Sequence, residues 1–217
     1  MGQNGAGKTT FAKHLNGLLE PTEGQVTVGD LDTREHRVAR IAQEIGLNFQ
    51  NPNDQLFHNT VDEEIRYGPK NFEYNDERID ELVEDAVERQ NSRTFGRKPV
   101  RHGQPKRKRV AVASVIAMDT PIVVLDEPTG GQDAEGNELL GDLVESLVSD
   151  GVLVVVITHD VDFASRYADR LIAPLTARSS TARRGRCSDN RTYSRRPTYR
   201  RRSLRRSDSN SDSRRRC

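Results

Sequence analysis

Gly2-Gln3-Asn4-Gly5-Ala6-Gly7-Lys8-Thr9-Thr10 is the stretch on which the reading of this chain turns. Gly2, Gly7, Lys8 and Thr9 meet the G-x-x-x-x-G-K-[ST] spacing of a phosphate-binding loop. Glycines let the backbone curl until successive N–H groups point inward at phosphate oxygens. A helix that starts at the end of the loop adds the positive end of its dipole. In that setting Lys8 is expected to reach the β- and γ-phosphates, and the Thr9 hydroxyl to hold Mg²⁺. Such a loop is launched from a β-strand, and here only Met1 precedes it. The expected fold therefore lacks its N-terminal strands.

Moving outward, residues 10–19 predict a helix with Phe11, Leu15, Leu18 and Leu19 on one face. Residues 25–28 and 45–49 predict strands, and residues 34–44 a helix between them. Residues 51–59 form a loop rich in Asn, Asp and Pro. Residues 61–67 and 75–88 are amphipathic and acidic, and 110–118 is an apolar helix, so a helical subdomain is expected at about 51–118. Apolar strands follow at 122–125 and 152–157, with helices at 134–148 and 162–167. Strands that alternate with helices and are apolar on both faces predict a mostly parallel sheet covered on both sides. The body is thus expected to span 1–175. From 176 to 217 Arg, Ser and Thr dominate, apolar periodicity vanishes, and a disordered tail is expected.

Asp126 and Glu127 close the apolar run Ile122-Val123-Val124-Leu125. A carboxylate at that strand end suits support of Mg²⁺, and the next one suits polarisation of an attacking water. His159 ends the second apolar strand, at the edge where open α/β sheets bind ligands, and is a candidate γ-phosphate sensor. Gln50, at a third strand end, is a candidate for Mg²⁺ or the water.

The formal net charge of +1 averages two opposite regions. Residues 1–175 hold 19 Lys and Arg against 30 Asp and Glu, whereas 176–217 hold 15 Arg against 3 Asp. A body this acidic suits a high-salt cytoplasm, an expectation tested by whether the folded protein needs molar salt to stay soluble. It also argues against nucleic acid, whose phosphates it would repel. Both cysteines, Cys187 and Cys217, lie in the tail, so neither a disulfide framework nor a zinc spacing is present. No apolar run approaches the ~20 residues that span a bilayer, and no signal peptide is evident.

Together these motifs resemble the ATP-binding subunits of ABC transporters. The matching pieces are GQNGAGKTT (2–10), Gln50 as the Q-loop, VVLDEPT (123–129), Asp133 as the D-loop aspartate and THD (158–160). Within that family, FQNPNDQLF (49–57) followed by TVDEEIRYGP (60–69) is similar to the energy-coupling-factor and cobalt/nickel type of importer. The resemblance implies ATP and Mg²⁺ as ligands. It also implies a homodimer or heterodimer closing on two ATP molecules, and transmembrane importer subunits for a metal ion or vitamin. The chain would then lie at the cytoplasmic face of the membrane through those partners. The segment after Gln50 would form the groove that receives a coupling helix.

The chain departs from the family pattern in three places. The family's N-terminal strands and adenine-stacking aromatic have no counterpart before Met1. The Leu-Ser-Gly-Gly-Gln signature is replaced by Arg101-His102-Gly103-Gln104-Pro105, which lacks the serine. Residues 89–109 hold nine basic residues and no acid, and Arg-rich text replaces the family's continuation after Leu175. We read both basic blocks as shifted reading frames, with in-frame text returning near Arg107–Arg109; translation of the other two frames tests this. Two functional readings follow: an ATPase that powers an importer, or a degenerate subunit that binds nucleotide and hydrolyses it poorly.

Overall fold

The computed structural model describes residues 7–90, 103–175 and 178–183, with 173–175 and 178–183 as backbone alone. The elements run α1 (Lys8–Leu15), β1 (Thr27–Val28), β2 (Leu31–Asp32), α2 (Val38–Ile41), β3 (Ile45–Asn48), a 3-10 turn (Pro52–Asp54), α3 (Val61–Asn71) and α4 (Asp76–Arg89). They continue with α5 (Gln104–Ile116), β4 (Ile122–Asp126), α6 (Ala134–Ser149), β5 (Leu153–Ile157), α7 (Val161–Tyr167), β6 (Arg170–Leu175) and β7 (Arg178–Arg183).

The central sheet is parallel, in the order β3-β4-β5. Its middle strand, β4, reads as an unbroken apolar run because both of its faces are covered. Val123 and Leu125 point into a core built with Val112 and Ile116 of α5, Leu143 and Leu147 of α6, and Phe163 of α7. Ile122 and Val124 point the other way, to Ala12 of α1, Ile41, Ile45 and Ile157. The period of two along the strand thus divides one sequence between two cores. Each fully buried aliphatic side chain contributes about 1.5–3 kcal/mol of transfer free energy.

On the first of these faces α5 is wedged between the sheet and the helices α3 and α4. Its residues Val110 to Ile116 are all buried, while Gln104, Pro105 and Lys106 remain exposed. Two glycines make the wedge possible. A Cβ on Gly46 of β3 would meet Val115 Cγ1 at 2.7 Å, and one on Gly68 of α3 would meet Met118 Cγ at 2.6 Å. α4 buries Ile79, Leu82, Val83 and Ala86, a single helical stripe. Arg78 pairs with Asp119 at 2.8 Å, and Arg89 with Asp150 at 2.7 Å, so both ends of α4 are tied to the sheet side. Side-chain oxygens cap the helices: Thr60 for α3, Asn75 for α4, Asp133 for α6 and Asp160 for α7.

Several elements differ from the sequence reading. α1 ends at Leu15, because Asn16 and Gly17 (φ 73) turn the chain, and it packs through Ala12. Phe11, Leu18 and Leu19, expected on a buried face, are exposed. The helix expected over 34–44 is the single turn α2, preceded by a turn in which Asp32 binds the backbone and guanidinium of Arg34. α3 runs past its expected end and carries Pro69 inside its last turns, where that ring lies buried. α5 starts six residues before its apolar run, with Pro105 in the first turn, where a missing N–H leaves no intrahelical bond unmade. Inside the tail expected to be disordered, β7 pairs antiparallel with β6, Arg170 opposite Arg183 and Leu175 opposite Arg178. The rest of that tail lies outside the described residues.

Candidate active site

Gly7 takes a left-handed conformation (φ 77) and delivers the chain into α1, so Lys8 and Thr9 occupy the first helical turn. That turn faces the C-terminal end of β4, where Asp126 and Glu127 are 2% and 4% exposed. Thr9 Oγ1 donates to Asp126 Oδ2 at 2.9 Å. Lys8 Nζ donates to Glu127 Oε1 at 2.6 Å. The parallel register sets Asp126 against Ile157, so the residues just past β4 and β5 emerge side by side. The Glu127 N–H donates to Ile157 O at 2.8 Å. His159 then brings its Nδ1 to 2.7 Å from Glu127 Oε2. Beneath them Thr129 and Thr158 share a hydroxyl hydrogen bond of 3.3 Å, and Thr158 Oγ1 accepts the Asp160 N–H at 3.0 Å.

The two carboxylates sit in different electrostatic surroundings. Burial pushes the Asp126 carboxyl above its ordinary range, against the Thr9 hydroxyl hydrogen bond. Burial acts in the same sense on Glu127, but Lys8 and His159 together outweigh it and hold that carboxyl below its ordinary range. Among the described residues, Asp126 Oδ1 is buried without a hydrogen-bond partner. A buried carboxylate oxygen left unpartnered beside a threonine hydroxyl fits a hard, oxygen-preferring cation such as Mg²⁺. Glu127 has φ 50, a left-handed conformation that costs a non-glycine residue of order 1–2 kcal/mol.

Gln50, two residues beyond β3, is exposed and lines one cleft with Asp126, Glu127, Lys108 and Gln132. Lys8, Thr9, Asp126, Glu127 and His159 are therefore brought together, and Gln50 stands at the rim of the cleft beside Asp126 and Glu127. Gly2, Gln3, Asn4, Gly5 and Ala6 lie outside the described residues. Thr10 is exposed on α1, its carbonyl oxygen 2.7 Å from His14 Nδ1. Asp133 accepts the Gly136 N–H at 2.8 Å as the cap of α6.

Three residues here carry contacts that the sequence reading did not single out. Lys108 Nζ donates to Glu127 O at 3.2 Å and to Gly130 O. Gln55 accepts from Phe49 N at 3.0 Å and donates to Ala111 O at 2.7 Å, which joins the segment after Gln50 to α5. Glu64, buried in α3, accepts from the backbone of Phe57 at 2.9 Å and of His58 at 2.7 Å. Lys108 was hidden in a run of like charge; the sequence cue to it is its position two residues before the apolar stretch of α5.

The sequence pattern described as ABC transporter matches residues 1–130. The chain belongs to the ABC transporter family. An energy-coupling factor transporter ATP-binding protein, EcfA of Methanosphaera stadtmanae, is 37% identical over 172 residues, which is 78% of this ABC chain and 62% of the relative. The chain spans a little over three-fifths of the length of the curated relatives it matches, 62% and 63% in two further cases. Among solved structures, cbiO1 of Clostridium perfringens, part of the ABC transporter complex cbiONQ, is similar at 30% identity and a TM-score of 0.70, over 79% of this chain and 70% of that one. A dimeric ATP-binding cassette in a post-hydrolysis state, bound to ADP and Pi, is similar at 26% identity and a TM-score of 0.75, over 85% of this chain and 84% of its own. The architecture described above is accordingly that of an ABC cassette, a mixed α/β fold with a parallel sheet.

Proposed function

We propose that this chain binds and hydrolyses ATP as the engine of a membrane importer for a metal ion or vitamin. The observation that carries the reading is the convergence of Lys8, Thr9, Asp126 and His159 on and around the carboxylate of Glu127. In this reading the loop amides of Gly2 to Thr10 and the Lys8 ammonium hold the β- and γ-phosphates. Mg²⁺ fits Asp126 Oδ1 and the Thr9 hydroxyl, with Gln50 beside them, and when bound it neutralises charge on the phosphates. Glu127, held ionised, accepts a proton from the attacking water. In the same reading His159 holds the γ-phosphate, and its contact with one Glu127 oxygen supports that role.

A dimer supplies the remainder of the site, each subunit covering the loop of the other, as the dimeric solved relative suggests by analogy. The importer assignment draws on the FQNPNDQLF segment and on the names of the energy-coupling-factor and cbiONQ relatives. Phe57 at the end of that segment and Tyr67 of α3 are exposed and meet edge to face at 4.8 Å, a surface suited to a helix from a membrane subunit. Among the described residues no helix is long and apolar enough to cross a membrane, so contact with the cytoplasmic face would run through such subunits.

The test is ATP turnover by the full chain, alone and mixed with a second ATP-binding subunit, with and without Glu127→Gln. Turnover that disappears in Glu127→Gln supports the proposal. A chain that binds MgATP without turnover in either setting overturns it.

One observation favours a second reading. α5 begins with Gly103-Gln104-Pro105, and no serine stands there to donate to a γ-phosphate across a dimer. A degenerate subunit would then lend its own loop to a partner carrying an intact signature. Activity in the mixture, and none in the isolated chain, distinguishes it.

A further inference from the structure

We propose that Lys108 is a positioning residue: by bridging the carbonyls of Glu127 and Gly130 it holds the turn that aims the Glu127 carboxylate at Lys8 and His159. This rests on the reading of Glu127 as the base that activates water.

The chain leaves β4 at Asp126 and reverses over Glu127-Pro128-Thr129-Gly130, with the Gly130 N–H donating to Glu127 O at 3.3 Å. Glu127 enters that turn at φ 50, which a residue with a side chain keeps only when its surroundings impose it. Two restraints are present. On one side β5 holds the Glu127 N–H through Ile157 O, at 2.8 Å. On the other, Lys108 Nζ lies 3.2 Å from Glu127 O and also donates to Gly130 O, so one ammonium spans the first and last residues of the turn. A Cβ on Gly130 would come within 3.1 Å of Nζ, which places the ammonium against the turn itself.

Lysines ordinarily extend their ammonium to water and lay only the stem on the protein. Lys108 instead reaches inward from the second turn of α5. Burial draws its pKa below the ordinary lysine range, against the opposing pull of the Glu127 charge. Its hydrogen bonds go to the two backbone carbonyls, the arrangement expected of a group that fixes a backbone. The consequence for chemistry is geometric. A change in the Glu127 backbone angles swings the whole carboxylate, and a misplacement of about 1 Å at a reacting group can reduce rate by a factor of order 100.

Lys108→Met keeps the length of the side chain and removes its donors. It is expected to lower kcat by about 10- to 100-fold while the KM for ATP stays within about two-fold, and Lys108→Arg, which retains a donor-bearing cation, restores most of the loss. A Lys108→Met protein with wild-type kcat, or one whose loss merely tracks its lost folded fraction, overturns the proposal. Crystal structures of the full-length wild type and of Lys108→Met test the placement independently of turnover. In the variant the Glu127 φ should leave the left-handed region, or its carboxylate should move by more than about 1 Å relative to Lys8 Nζ. Retention of both overturns the positioning role. If the wild-type chain hydrolyses no ATP, the reading of Glu127 as a base fails instead, and the crystallographic comparison still decides what Lys108 holds.

Discussion

The ammonium of Lys8, at the start of α1, and the carboxylate of Glu127, just past β4, meet at 2.6 Å across 119 positions of sequence. The ion pair is nearly enclosed: the side chains are 11% and 5% exposed. With His159 on the other carboxylate oxygen, Glu127 is fixed from both sides. Replacing it with glutamine keeps the shape and removes the basic oxygen. Glu127→Gln is expected to reduce ATP turnover by roughly 100- to 10,000-fold while binding of MgATP persists. Steady-state ATPase and nucleotide titration on the same preparation check both parts. Turnover within three-fold of wild type, about 0.7 kcal/mol of barrier, would sink the assignment.

Asp126 presents the opposite balance. Its carboxylate is buried, one oxygen takes the Thr9 hydroxyl, and the other has no partner among the described residues. An isosteric amide keeps the Thr9 contact and sheds the buried charge. Asp126→Asn is expected to raise unfolding stability by about 1 kcal/mol in chelator-containing buffer and to abolish Mg²⁺-dependent nucleotide binding. Urea unfolding together with nucleotide titration reads the trade. A variant less stable than wild type would show that the carboxylate is paid for within the protein alone.

Gly141 of α6 lies under the ring of Tyr167 in α7, where an added Cβ would sit 2.0 Å from Tyr167 Cζ. The ring is also held against Phe163, with centroids 4.7 Å apart. In an open helix, alanine in place of glycine would gain up to about 1 kcal/mol. Overpacking opposes that gain with about 1–3 kcal/mol, so the clash dominates. Gly141→Ala should lower the thermal midpoint, and Gly141→Ala with Tyr167→Leu should recover it. A stabilised single variant would mean that α7 moves aside freely.

Asp32 ends β2 and accepts the Arg34 N–H at 2.9 Å and its guanidinium at 2.8 Å. The side-chain bond to Arg34 is the larger cause that lowers its pKa to about 2. A carboxylate depressed in the folded state adds stability above its unfolded pKa and loses it as pH falls through the folded value. Asp32→Asn should therefore be less stable than wild type above about pH 4, with the gap closing between about pH 4 and pH 2. Urea titrations at pH 7, 5 and 3 measure that gap, and a pH-independent difference would refute the coupling.

Much of this site was legible because its chemistry is local in sequence. Lys8 and Thr9 follow a glycine loop, and Asp126-Glu127 and His159 each close an apolar strand, so pattern alone singled out all five converging groups, two at the loop and three at strand ends. Their convergence depends on the parallel register of β4 and β5, which the alternating order of strands and helices implied. What sequence did not disclose was long-range. Lys108 acts on a turn that follows it by 19 positions, through an ammonium bound to backbone carbonyls, and carbonyls leave no trace in residue identity. α2 shrank to one turn because the Asp32–Arg34 contact set the preceding chain in a turn, a side-chain choice that outweighed helical periodicity. β7 formed where composition predicted disorder, since a strand pairs through its backbone with whatever residues it carries.

Two glycine contacts bracket the far end of α5: Gly46 abuts Val115 in its last turn, and Gly68 abuts Met118 just beyond it. That end is seated against backbone on two sides and has no room to slide. Lys108 stands seven residues up the helix from Val115, about 10 Å along the axis at 1.5 Å per residue. Swinging α5 about its seated end by roughly 6° would carry the base of Lys108 about 1 Å sideways, the displacement at which reacting geometry begins to matter. The helix is in effect a lever with a seated end, and the ammonium that it carries rests on the turn that presents Glu127.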